Sequence, residues 1–283
     1  MDVLRRLRGE AKVSTPSSYG PTPRASSLSP AASLVRRNDP DRFLTALFAP
    51  APQRETLFVL YAFNNELARA RAVVSEPMLA LMRLQWWREV VEGARRRHEV
   101  AGPLGAALDA GALRAEDLAA LIDAREIEAE SAIPTLEDWR GYLMGTAGGL
   151  AVAAGRLLGA PNPEALRGPG AAYGAAGVLR AVPALARRRR CLLPADVLAQ
   201  HGLSVEAAIA APLDAPALAA MRELAREAQG WLGPRDTTPP RAFRAAALPA
   251  VFARRDLARA PPLPERHGIG DQLAVVRAAL LGR

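Results

Sequence analysis

The chain has 283 residues, half of them apolar and only 5% aromatic, with 37 basic against 29 acidic side chains and a formal charge of +8. That length can bury a large core in one domain or two small ones, and the dominance of Ala, Leu, Arg and Glu predicts an all-α protein. The single cysteine, Cys191, excludes an intramolecular disulfide and a cysteine metal cluster, and His98, His201 and His267 lie too far apart in sequence to make a ligand spacing.

Residues 1–37 are rich in Ser, Pro and Arg and carry two acids, Asp2 and Glu10, which predicts a disordered basic tail ahead of a helical domain over 38–283. Its opening MDVLRRLRG can form a short basic amphipathic turn, so a membrane tether and a transit peptide are the alternatives. Asn38 and Asp39 give a helix-start signal, and Pro50 and Pro52 break the pattern before the next helix. Residues 57–74 are apolar nearly all the way round at helical spacing, as in a helix buried in the middle of a domain. Ser75, Glu76 and Pro77 then start a second helix, with Leu79, Met82, Trp86 and Val90 as its expected packing face. Asn64, Asn65, Glu66, Arg83 and Gln85 are polar groups threaded into this helical hairpin. Glu66 shares its stripe with Val59, Ala62, Ala70 and Val73, so it is expected to be buried and bonded to Asn64, Arg83 or a neighbouring helix.

Two amphipathic segments follow over 103–130, the second placing Asp123, Glu126 and Glu130 on one face. Thr135 and Asp138 make a capping-box start for a helix over 134–160, whose interior, GTAGGLAVAAG, is made of small residues that allow close helix approach. Residues 170–186 repeat that character, with Pro183 expected to end or kink the helix. After the arginine run 187–190, a shorter helix and then helices near 215–232, 241–258 and 270–281 complete the chain. The longest apolar stretch, 143–155, is too short to span a bilayer. Every basic residue except Lys12 is arginine, a bias in keeping with a GC-rich coding sequence. No base-reading motif accompanies it, so nucleic acid is not an expected partner, whereas an anionic membrane surface is.

YAFNNELARA, then YLMGTAGGLAVAAGRLLG, then YGAAGVLRAVPALARRRRCLLPADVLAQHGLS resemble the squalene/phytoene synthase family in order and spacing, from about Asn38 to Asp256. The resemblance implies an isoprenoid-synthase fold, a single all-α bundle around a deep central cavity. Active members condense two prenyl diphosphates through Mg²⁺ held by two aspartate-rich motifs, and Mg²⁺ requires hard carboxylate oxygens. The aspartates of the first motif fall on Ala68, Arg69 and Ala72 here, and those of the second on Ala181 and Leu185. Every one is missing. Glu66 lies about 200° round the helix from Ala68, and Glu128 alone cannot build the site. No catalytic residue, metal ligand or cofactor is therefore assigned, and Mg²⁺ is expected only if the chain is a prenyltransferase after all.

The candidates for cavity or ligand contact are Tyr61, Asn64, Asn65, Glu66, Arg83, Gln85 and Arg180. Tyr61, Trp86 and Trp87 also read simply as core aromatics. Arg180 and the run 187–190 read either as diphosphate or headgroup binders or as a structural arginine and a solvated helix end. AFN-x-EL, VSE, RLQWW and LRAxP resemble one branch of the family, which holds a mitochondrial complex I assembly factor and its bacterial relatives. The branch implies a catalytically degenerate protein that assists assembly of respiratory NADH:quinone oxidoreductase. Its partners would be a complex I subunit or intermediate and an isoprenoid or quinone-like lipid. Its place would be the bacterial cytoplasm at the inner membrane, with the mitochondrial matrix as alternative. The rival readings are an active prenyl-diphosphate transferase and an isoprenoid or lipid carrier.

Overall fold

A computed structural model describes residues 28–74, 76–130, 132–234 and 240–281. Helix α1 (Pro30–Asn38) opens them, with the Ser29 hydroxyl accepting from the Ala32 amide at 3.0 Å. It buries Ala31, Ala32, Leu34 and Val35 against the next long helix. The expected tail over 1–37 is thus corrected at its C-terminal end, while residues 1–27 lie outside the described part. Four short apolar side chains in a Ser- and Pro-rich setting were too faint a stripe to read. Asp39 caps α2 (Pro40–Ala46), its carboxylate accepting from the Arg42 amide.

Helix α3 (Ala51–Ala72) is the axis of the N-terminal half. Residues 57–67 are buried without interruption, Asn64, Asn65 and Glu66 among them, as the two-sided apolar pattern predicts. It packs on α1, on α4 (Pro77–Val91) and on α5 (Ala101–Asp109). Ser75, part of the expected start signal of α4, lies outside the described residues. The inward face of α4 is Ala80, Leu84, Trp87, Val90 and Val91, while Leu79 and Met82 are exposed. The helix is therefore turned by about one residue from the expected face. Adjacent tryptophans support two registers, and Trp87 takes the interior through edge-on packing against Phe63 at 5.4 Å. Trp86 is left half-buried against it.

After α6 (Ala115–Asp123) and a 3₁₀ turn over Glu126–Ala129, α7 (Leu136–Leu143) starts at the Thr135–Asp138 capping box. It widens into a π turn over Met144–Gly148 and resumes as α8 (Gly149–Leu157). Helix α9 (Arg167–Ala186) crosses this π turn closely. A Cβ on Gly170 would lie 2.5 Å from the Ala151 Cβ and 2.8 Å from the Ala147 carbonyl oxygen, so the small residues are a condition of that approach. Pro183 sits in the last turn of α9, which runs on to Ala186.

Helices α10 (Ala195–Gln200), α11 (Val205–Ala210), α12 (Ala215–Gln229), α13 (Arg244–Ala247) and α14 (Pro249–Leu257) close the second half of the core around α9. The last helix, α15 (Ile269–Leu281), buries Asp271, Val275 and Ala279 and leaves Ile269, Leu273 and Leu280 exposed. Among the described residues no helix is long and apolar enough to cross a membrane, and no strand occurs beyond one isolated bridge.

Candidate functional site

Two buried polar networks run through the bundle. The first begins at the cap of α2, where the Arg42 guanidinium donates to Asp39 at 2.8 Å and lies over the rings of Tyr173 and Tyr61, 4.7 and 5.7 Å from their centroids. The Tyr173 hydroxyl donates to Asp41 at 3.3 Å. Asp41 Oδ2 is 2.8 Å from His267 Nδ1, and His267 Nε2 is 2.9 Å from Asp256 Oδ2. The imidazole is therefore held between two carboxylates, stacked on Phe252 with ring centroids 4.2 Å apart. Arg180 spans both acids, 3.5 Å from Asp41 and 3.4 Å from Asp256. Arg259 continues to Asp256 and Asp271, and Arg255 closes the set on Asp271 at 2.5 Å. This network joins α2, α9, α14 and the start of α15, so the C-terminal helix is held by ion pairs as much as by apolar packing.

Burial opposes charge on His267, but the hydrogen bonds to Asp256 and Asp41 outweigh it and raise its pKa, against the opposing charge of Arg180. Asp41 is held below the usual carboxylate range: burial raises it, while the His267 hydrogen bond and the charges of His267 and Arg180 lower it further. A raised histidine contributes stability that is fully present below its unfolded pKa near 6.5 and is lost as pH rises through the folded value. Asp41 acts with the opposite sign, in a separate window below about pH 4. We expect the thermal midpoint to fall as pH is raised above about 6.5, and this component to vanish in His267→Asn. Equal slopes for the two proteins in thermal melts across that range would refute the linkage.

The second network gathers around Glu128, which is buried. Arg125 donates to Glu128 at 2.5 Å and to the Asn64 side-chain oxygen at 3.2 Å. The Tyr142 hydroxyl donates to Glu128 at 2.8 Å, and Arg190 lies 3.5 Å from its second oxygen. The lone acid is thus matched by two guanidiniums and a phenol. Glu66 is buried as expected, but its partner is Arg69, three residues on, at 2.9 Å. Arg69 is itself half-exposed, so the pair links a buried carboxylate to a guanidinium at the surface.

Of the sequence candidates, the structure brings Tyr61 and Arg180 into the first network and Asn64 into the second. Asn65 is buried beside them, with no partner for its amide nitrogen among the described residues. Arg83 and Gln85 correct the expectation: both are exposed on α4, and Gln85 accepts from Arg88, which also pairs with Asp123 and Glu126. The one-residue rotation of α4 turned them outward. Sequence reasoning missed Arg42, Asp41, Asp256 and His267, which share no motif and meet only through packing.

Ala68, Arg69, Ala72, Ala181 and Leu185 offer no carboxylate, and among the described residues no group of three His, Cys, Asp or Glu is placed to hold a metal ion. The donor set does not fit Mg²⁺, which takes oxygens, and the surviving acids already face arginines. Between α3, α9 and α14, the crevice lined by Arg42, Tyr61, Leu150, Gly170, Tyr173 and Ala250 measures about 10 Å³, room for about one water molecule. What this arrangement does chemically is neutralise charge and tie helices together.

These features define an all-helical bundle with an arginine-neutralised polar interior. The chain belongs to the squalene/phytoene synthase family, whose pattern it matches over residues 35–266. It is 33% identical over 213 residues to NADH dehydrogenase (ubiquinone) complex I, assembly factor 6 of Mus musculus, covering 72% of this chain and 64% of that protein. The Homo sapiens protein of the same name is 33% identical over 181 residues, covering 61% and 54%. A Drosophila melanogaster homolog is 28% identical over 195 residues, covering 64% and 58%. The chain thus spans 54% to 64% of the length of these relatives. Among solved structures, a dehydrosqualene synthase in complex with ligand superposes with a TM-score of 0.68 at 14% identity, covering 88% of this chain and 93% of that one. Squalene synthase HpnC from Alicyclobacillus acidocaldarius gives 0.62 at 17% identity, covering 81% and 90%. At such identities the likeness is one of fold.

Proposed function

We propose that this chain assists assembly of respiratory NADH:quinone oxidoreductase, complex I, as a family member that has given up the synthase reaction. The observation that carries the reading is the fate of charge in the bundle. All five aspartate positions are vacant, and the acids that remain in the interior, Asp41, Glu66, Glu128 and Asp256, are each paired with arginine. A site that binds Mg²⁺–diphosphate needs the reverse, uncompensated carboxylates facing the ligand. The 33% identity to proteins named as complex I assembly factors supports the assembly role. It also favours a location where that complex is built, the cytoplasmic side of a bacterial inner membrane or the mitochondrial matrix. Docking on a complex I subunit or intermediate is the mode we favour over holding a quinone-like lipid. A crevice of about 10 Å³ would have to open by displacing Tyr61, Tyr173 and Arg42 before it took a prenyl chain.

Removing the protein is expected to lower NADH:quinone oxidoreductase activity severalfold and leave squalene and carotenoid products unchanged. Restoring aspartate at Ala68, Ala72, Ala181 and Leu185 is expected not to improve complementation, because like charges gathered without a metal repel. A knockout with normal complex I and altered isoprenoid products would return the chain to the enzymes. Lipids that copurify stoichiometrically, identified by mass spectrometry, would instead make it a carrier.

A further inference from the structure

Helix α9 is followed by three consecutive arginines on the surface, Arg187, Arg188 and Arg189. Arg190 turns inward to Glu128, but Arg187, Arg188 and Arg189 are exposed and make no ion pair among the described residues. The chain reverses through a left-handed residue, Arg189, with φ 54°, while the Arg190 amide donates back to the Leu185 carbonyl at 3.0 Å. Glycine is the default at that position of a helix C-terminus, so an arginine there carries a backbone cost that glycine would not. The residues on either side of the triplet, Leu185, Ala186 and Arg190, line an apolar crevice completed by Leu192, Ile209 and Pro212. Leu213, next in sequence, is 42% exposed. The crevice measures about 10 Å³, too little to take up an acyl chain, so an amphiphile would be met here as a surface.

We propose that Arg187, Arg188 and Arg189, with the apolar crevice they border, are a docking surface for an anionic phospholipid bilayer. Uncompensated guanidiniums beside half-exposed aliphatic side chains are the composition that interfacial contact selects: the cations meet phosphates while the apolar groups enter the headgroup boundary. Arg180 and the side chain of Arg190 take no part, because carboxylates already hold them. The surface lies on the side of α9 that faces α11 and α12, away from the Asp41–His267 network. This inference does not rest on the assembly role, and the two can fail separately.

The test is flotation of the full chain with vesicles of phosphatidylcholine alone or mixed with phosphatidylglycerol, at low and high salt. Binding is expected only to the anionic vesicles and to weaken with salt. Each arginine near such a surface contributes about fivefold, so Arg187→Gln/Arg188→Gln is expected to bind roughly 25-fold more weakly. A matched pair on α12, Arg222→Gln/Arg226→Gln, also exposed and without an ion pair, is expected to change binding less than about twofold. Arg189→Gly should lose about fivefold in binding with an unchanged or raised thermal midpoint, which separates lost contact from lost fold. Leu213→Asp should weaken what binding persists at high salt. Equal losses for the two arginine pairs would reduce the effect to net charge and overturn the proposal. So would saturable calorimetric binding of inorganic phosphate at the triplet, or binding of an acidic peptide in place of vesicles.

Discussion

Leu34→Ala is expected to destabilise the protein by about 2–5 kcal/mol, the range for deleting a fully buried leucine side chain. Leu34 is 2% exposed and Val35 fully buried, on a helix the composition of residues 1–37 would dismiss. In a loose segment the same change would cost less than about 0.5 kcal/mol, so the expectation separates the two descriptions cleanly. For a chain of this size the loss corresponds to a fall in thermal midpoint of roughly 5–15 °C. The fall should be the same in a chain starting at Leu28, since the cavity opens between α1 and α3. Chemical denaturation with an unchanged m-value and a lowered midpoint is the measurement. A shift below 0.5 kcal/mol would detach α1 from the core.

Arg180→Met should cost about as much, roughly 3–5 kcal/mol, by a different mechanism. The methionine fills most of the volume but leaves Asp41 and Asp256 with less compensation in an interior where Asp256 has no solvent exposure. Removing one member of a buried ionic set leaves the full desolvation penalty on the others. His267 and Arg259 still face those acids, so the loss should be smaller at a pH where His267 is charged than where it is neutral. That dependence marks Arg180 as a member of the network. Were its task instead to meet a diphosphate, the substitution would weaken ligand binding and leave the melt unchanged. A loss under about 1 kcal/mol would remove Arg180 from the structural set.

Much of the fold was legible because helix periodicity is a local property. The burial of α3 on every side, the capping box at Thr135 and Asp138, and the small-residue crossing of α8 and α9 each follow from residues within a few turns of one another. The failures were local too. In α4 the pair Trp86–Trp87 left two faces equally apolar, and the choice fell to Phe63 on another helix, which carried Arg83 and Gln85 outward. In α1 the stripe was too short and too poor in large side chains to stand against its surroundings. For the candidate site, the sequence marked Asn64, Glu66, Tyr61 and Arg180 as polar groups in apolar settings, but Asn64 and Arg83, the partners expected for Glu66, gave way to Arg69 on its own helix.

By itself, then, the sequence determined the helical class, the positions of most helices, the surplus of arginine and the absence of a carboxylate at 68, 69, 72, 181 and 185. Only the tertiary structure decided what the remaining charges do. Asp41 and His267 are 226 residues apart, Arg180 and His267 87, and Arg125 and Asn64 61. No periodicity spans such distances. Pairing within about 3 Å depends on where whole helices come to rest, and the apolar packing of α3 and α9 fixes those places. The same packing separates the arginines that are consumed inside the bundle, Arg42, Arg125 and Arg180, from those left facing outward at the end of α9.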